Sequence, residues 1–303
     1  MIFRITSVVK TVSFFKSYSL FCLIFSLITI FWGAWVRLSL SGDACGESWP
    51  LCKEGVFPES GGAWIEWLHR LSSGLSLLSV FILWVLSLKI YFKNQVARVF
   101  SFLSFIFILI EAFIGAVLVL NNLVALNAQA LRVFILGIHS INSFFLIASL
   151  TLVYKTSSYQ KTKSPFRKQL FIKKPLIYFV LSFPLLALTG NIASLAGQLF
   201  PSLSLSSAFS LDLLPSAHLS LKIRPFHPLL ACLFLITLIR FAIKEKKLWT
   251  PVLAVSLVVF IGFVTLVSLS PLGMKFVHLI LAYALGIFLV WNSFEERKCP
   301  IFS

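Results

Sequence analysis

Residues 98–120 read RVFSFLSFIFILIEAFIGAVLVL, 23 residues in which Glu111 is the one ionisable side chain after Arg98. A helix needs ~20 mostly apolar residues to cross a bilayer, and in lipid the backbone must satisfy its own hydrogen bonds. This stretch therefore reads as a membrane-spanning helix. Working outward from it, comparable stretches lie at 19–38, 65–88, 133–154, 175–195, 223–243, 251–270 and 275–293. Eight spans fit a composition that is 59% hydrophobic and 12% charged, far too apolar for a water-soluble domain. The first stretch is longer than a signal-peptide core and is followed by no small-residue cleavage site, so it is read as a true span. The expected fold is an all-α integral membrane protein of eight transmembrane helices.

A formal net charge of +16 invites a nucleic-acid partner, but the distribution of the charge argues against one. Nineteen of the 26 lysines and arginines fall on one side of the eight spans. They are Arg4, Lys10 and Lys16, then Lys89, Lys93 and Arg98, then seven between 155 and 174, then Arg240, Lys244, Lys246 and Lys247, then Arg297 and Lys298. The other side carries Arg37, Lys53, Arg70, Arg132, Lys222, Arg224 and Lys275. The positive-inside rule puts both termini and the larger set in the cytoplasm of a bacterial-type inner membrane. The basic charge thus encodes orientation and contact with anionic lipid headgroups.

The Ser-, Lys- and Thr-rich segment 155–174 separates four spans from four. Gly33 in the first span and Gly190 in the fifth each lead into a long outer loop, and the third and seventh spans carry Gly115 and Gly262. We read a tandem duplication, with residues 1–160 and 161–303 forming two four-helix bundles. An even number of spans in each half predicts a pseudo-twofold axis along the membrane normal rather than an inverted repeat.

Five histidines are present. His69, His139, His227 and His278 fall one each in the second, fourth, sixth and eighth spans, about four to seven residues from the outer end. At 1.5 Å per residue this is roughly 6–10 Å below the outer boundary. Ionisable groups at that depth are costly and mark functional sites. Two facing imidazoles close both axial positions of a haem iron, and the flat ring suits a slot between apolar helices. The set therefore predicts two haem clamps, against the alternative of interfacial histidines held by hydrogen bonds. All four ligands lie near one face, which disfavours an electron relay across the bilayer. His218, in an outer loop beside Ser216, is expected to be solvated.

The first half carries more. Glu66 precedes His69 by three residues and shares its helix face. It can orient the ligand or act as a base at the macrocycle edge, or be a first-turn acid favoured by the helix dipole. Arg37 and Arg70 are candidates for haem propionates or ordinary interfacial anchors. The second half has Phe226-His227-Pro228 with no acid at the matching position. Cys45 and Cys52, seven apart in the first outer loop, suit a short disulfide on an oxidising face, with redox and stapling roles both open. Cys22 and Cys232 lie in spans and Cys299 in the tail.

These residues together resemble the haem A synthase family of cytochrome oxidase assembly. The likeness rests on Gly33-Ala34-Trp35-Val36-Arg37, on Cys45 with Trp49-Pro50-Leu51-Cys52, and on Ile65-Glu66-Trp67-Leu68-His69-Arg70. It continues through Gly115, Val119 and His139, then Phe226-His227 and His278. The resemblance implies oxidation of the C8 methyl of haem O to the formyl of haem A by successive hydroxylations, with water as oxygen source. It implies that His69 and His139 flank the substrate haem O, that His227 and His278 bind a resident haem b, and that Glu66 is catalytic. It also implies that Cys45 and Cys52 relay reducing equivalents, that haem O synthase supplies the substrate, and that electrons leave to an acceptor such as a quinone. The sequence leaves a homo-oligomer open. Two departures stand out: residues 196–222 lack the second cysteine pair of some members, and Glu111 stands where glutamine is expected. Burial makes Glu111 expensive unless it is protonated or hydrogen-bonded, and a proton-path role is one reading of it. The competing functional readings are a non-catalytic di-haem b protein that oxidises quinol, and a haem or small-solute transporter with structural histidines.

Overall fold

The computed structural model describes residues 2–52, 57–90, 95–157, 170–172 and 174–296. Four long helices come first: α1 (Ile2–Leu38), α2 (Gly61–Ile90), α3 (Gln95–Leu120) and α4 (Ala130–Thr156). Then come α5 (Lys174–Leu199), two short helices α6 (Leu205–Leu213) and α7 (Leu219–Ile223), and α8 (Phe226–Lys244). After a 3-10 turn at Lys246–Leu248 the chain ends in α9 (Trp249–Val267) and α10 (Leu272–Ser293). Eight of the described helical segments are long and apolar enough to cross a membrane, so the chain is a multi-pass membrane protein. The boundary at 160/161 and the tail cysteine Cys299 lie outside the described residues.

The lipid-facing surface is apolar, as a bilayer solvent requires. On α9, Leu253, Leu257 and Phe260 are 68%, 53% and 60% exposed. Their spacing of three to four residues puts them on one outward stripe. The opposite stripe packs inward. In the first half Phe15, Cys22 and Leu23 of α1 meet Val80 and Leu83 of α2 and Leu146, Ile147, Leu150 and Val153 of α4. A second cluster joins Phe179, Val180 and Phe183 of α5 to Phe234 and Leu238 of α8, Val252 and Val255 of α9, and Leu285 and Leu289 of α10. Phe144 and Leu152, on the other side of α4, belong to that second cluster. α4 is therefore the shared wall, packed against α1 and α3 on one side and α5 and α10 on the other.

Helix ends follow local chemistry. Ser60 accepts from Ala63 N through its side chain at 3.2 Å and opens α2 four residues earlier than the hydropathy suggests. Residues 196–222, read from sequence as an open loop, hold α6 and α7. A capping box between Ser204 and Ser207 starts α6. Arg224 ties it down through Asp212 at 2.7 Å and Ala208 O at 2.8 Å. Three outer ends share one geometry. Leu40, Asn122 and Leu269, each seven residues after a glycine (Gly33, Gly115, Gly262), have φ of 57°, 52° and 59°. Beyond them Ser41 N, Leu123 N and Ser270 N bond back to Val36 O, Leu118 O and Thr265 O. This is the left-handed closure that satisfies terminal carbonyls. α5 departs from it and runs on past Gly197. The addition to an all-helical bundle is a short antiparallel pair, β1 (Leu170–Ile172) with β2 (Phe294–Glu296).

Candidate functional site

Three of the four intramembrane histidines rest directly on a glycine of a neighbouring helix. A Cβ added at Gly33 on α1 would lie 2.6 Å from His69 Cε1. One at Gly190 on α5 would lie 2.8 Å from His227 Cε1, and one at Gly262 on α9 would lie 2.8 Å from His278 Cε1. No side chain fits at those distances, so these glycines are the seats of the imidazoles. Sequence reasoning used the same glycines as repeat markers and missed this role. The fourth, Gly115 on α3, has nothing within 4 Å of such a Cβ. Counted from the start of each candidate span (Gly61, Ala130, Leu219 and Leu272), the four histidines lie at similar depths, residues 9, 10, 9 and 7. For His69, His227 and His278, a second matching feature is the glycine across the helix pair.

The rings of His227 and His278 face each other with centroids 6.2 Å apart and planes at 77°. Two imidazoles bound on opposite sides of one metal at about 2 Å each would hold their centroids about 6 Å apart. The Nδ1 atoms of His69, His139 and His278 are buried without a hydrogen bond of ordinary geometry. Thr189 Oγ1 sits 3.3 Å from His227 Nδ1. The adjacent pair His227 and His278, in an apolar setting, fits ligation of a haem iron, and His69 and His139 offer the same donor type. Among the described residues no group of three or more His, Cys, Asp or Glu forms a metal cluster.

Glu66 is 2% exposed and doubly held. Its Oε2 accepts from Cys45 N at 2.8 Å and its Oε1 from Arg70 Nη2 at 2.5 Å. Cys45 and Cys52 form a disulfide, packed on Ala63 and Trp67 of α2. Arg70 Nη1 also donates to Ser48 O at 2.6 Å and Leu51 O at 3.1 Å. Glu66 and Arg70 thus fasten the disulfide loop over the start of α2, three residues from His69. Nothing in sequence spacing signals this, since the partner is a main-chain N–H 21 residues away.

Arg37, at the end of α1, crosses to the other half. It donates to Asn191 Oδ1 and reaches Ser194 Oγ at 3.5 Å, both on α5. Gln198 Nε2 returns a bond to Arg37 O at 3.1 Å, and Asn191 Nδ2 bonds Ser140 Oγ on α4. A polar seam therefore joins the halves at the outer end, one residue after His139. Glu111 on α3 sits 3.4 Å from His139 Nδ1 and accepts from Asn142 Nδ2 at 2.5 Å. His218 is half-buried rather than solvated. Its Nδ1 accepts from Ser220 N at 3.2 Å, which caps α7, and its ring stacks near Phe200.

Comparison with known proteins places this geometry. A protoheme IX farnesyltransferase of Thermus thermophilus is 29% identical over 291 residues, covering 90% of this chain and 47% of that protein. The chain thus spans about half the length of that relative. A heme A synthase of Symbiobacterium thermophilum is 41% identical over 98 residues, 31% of each chain. A heme A synthase of Bacillus cereus (strain AH187) is 39% identical over 92 residues, 30% of each. Residues 16–290 match the COX15-CtaA family, described as cytochrome oxidase assembly protein, and the chain belongs to that family.

Proposed function

We propose that this protein is a haem A synthase, oxidising the C8 methyl of haem O to a formyl group. The observation that carries the reading is the set of four imidazoles, three of them seated on glycines, with acids beside the first two alone. His69 and His139 hold haem O as substrate, and His227 and His278 hold a resident haem b. Glu66 acts as the base at the substrate edge, and the loop closed by Cys45 and Cys52 positions it and shields the site from bulk water. Each hydroxylation adds an oxygen from water and releases two protons and two electrons. The second gives a gem-diol that loses water to the aldehyde. His227 and His278 would hold a haem b that could supply one-electron chemistry between the substrate and an acceptor of the quinone class.

Propionate binding falls to Arg37, one helical turn beyond Gly33, the residue that seats His69. Arg70 has Nε, Nη1 and Nη2 engaged by Glu66 and loop carbonyls. We further propose that residues 1–160 are the substrate half and 161–303 the haem b half. Both termini lie in the cytoplasm, with the clamps toward the outer face of a bacterial-type inner membrane.

The Thermus relative is named for farnesyl transfer, yet this chain aligns with less than half of it. Metal-assisted chemistry on a prenyl diphosphate calls for clustered carboxylates. This chain has two aspartates, Asp43 and Asp212, in separate outer segments. That favours a protein that receives haem O from a haem O synthase over one that makes it. The test is co-expression with haem O synthase in a host lacking haem A, followed by pigment extraction. Haem A is expected; its absence with haem O accumulated and bound sinks the proposal in favour of the quinol-oxidising di-haem reading. Protein purified without any b-type absorbance would favour the transporter.

A further inference from the structure

Four imidazoles occupy the same kind of place, and one of them has a different neighbour. Thr29, Leu186 and Val258 lie on the helices whose glycines seat His69, His227 and His278. Each of those residues stands four before the glycine that seats its imidazole: Gly33, Gly190 and Gly262. At that step the adjoining helix offers an uncharged side chain, and Nδ1 of His69 and of His278 stays without a hydrogen-bond partner. In the fourth case the residue four before Gly115 is Glu111. Here a carboxyl oxygen approaches Nδ1 of His139, at 3.4 Å.

The carboxyl group is itself held. Asn142 Nδ2 donates to Glu111 Oε2 at 2.5 Å and to Phe107 O at 2.8 Å. Asn142 is on α4, three residues after His139, and so lies on the same helix face. Phe107 is four before Glu111 on α3. The amide therefore fixes Oε2 and leaves Oε1 directed at the imidazole. A Cβ at Gly115 would meet nothing within 4 Å, so no glycine seat holds His139 there. The carboxyl group takes over the orienting work that a glycine seat does elsewhere.

We propose that Glu111 is the positioning residue for His139. It accepts the Nδ1–H when Nε2 serves as axial ligand to the substrate haem. Resting on the haem ligation proposed above, this gives the substrate clamp one ligand of raised basicity, while the resident-haem clamp has no acid at the matching positions, Leu186 and Val258. A carboxylate partner strengthens a ligating histidine and favours the oxidised iron. That asymmetry suits a substrate haem whose periphery must lose electrons to its neighbour.

The experiment uses the full chain, loaded with haem in both halves, and measures two quantities for the first-half haem: binding affinity and reduction potential by spectroelectrochemistry. The second-half haem spectrum reports folding in the same sample. Glu111→Ala is expected to weaken first-half haem binding on the order of tenfold and to raise its potential. Glu111→Gln, close in shape, should retain more of the affinity and still raise the potential, because an amide oxygen is a weaker acceptor. Asn142→Ala should move both in the same direction by less. Wild-type affinity and potential in Glu111→Ala, in a protein that loses first-half haem on His139→Ala, overturns the positioning role alone. Unchanged haem binding on His139→Ala overturns the clamp beneath it.

Discussion

The two halves of this molecule hold their histidines on the same frame and surround them differently. In the second half, His227 and His278 rest on Gly190 and Gly262 and face one another, with Thr189 as the polar neighbour of His227. In the first half, His69 rests on Gly33 but His139 has no such seat, and two acids are added. Glu66 ties the disulfide loop to α2, and Glu111 approaches His139. A closed, apolar clamp suits permanent retention of a redox group. An open clamp with buried acids suits a ring that must arrive, react at its edge and leave. The buried Glu66 and the half-buried Glu111 thus lie near His69 and His139 and not near His227 and His278.

The sharpest way to break this contrast is to remove a ligand from the closed clamp. His227→Ala or His278→Ala is expected to abolish the second-half haem and most visible absorbance of the purified protein. An unaltered spectrum means that the pair does not bind haem. Next in size is Glu66→Ala, which should reduce haem A formation on the order of 100-fold or more while substrate haem stays bound; a mere electron carrier would keep its turnover. Purified variants assayed for both pigment content and product distinguish these.

A third prediction compares glycines. Gly262→Ala and Gly33→Ala drive a methyl into an imidazole and should each cost about 1–3 kcal/mol of overpacking, together with weakened haem retention in the affected half. Gly115→Ala meets open space and should leave the melting temperature unchanged or slightly raised. Equal tolerance at all three positions would dissolve the seat argument. The smallest effect is expected at the seam. Arg37→Lys keeps the charge but loses the fork that reaches Asn191 and Ser194, for about 1 kcal/mol, read as a modest drop in thermal stability.

Much of this was legible before any coordinates. Hydropathy located eight spans, and the early start of α2 at Gly61 was missed because Ser60-Gly61-Gly62 looks like loop until its capping bond is seen. The helices α6 and α7 were missed for a related reason: short serine-rich turns carry little periodicity, and their stability comes from Arg224 and Asp212 reaching across the loop. The histidines stood out because buried imidazoles are rare in spans. Their glycine partners did not, since glycine in a membrane helix has many uses.

Sequence alone determined how many times the chain crosses the membrane, which side its positive charge favours, and which side chains are too costly to bury idly. These are properties of single segments in a solvent, and each residue contributes whatever its neighbours. Tertiary structure decided that Glu66 meets the amide of Cys45, that Glu111 approaches His139, and that Arg37 binds Asn191 on α5. Those pairings join residues 21 to 154 positions apart. They depend on helix rotation and tilt, which only the packing of all eight spans around α4 sets.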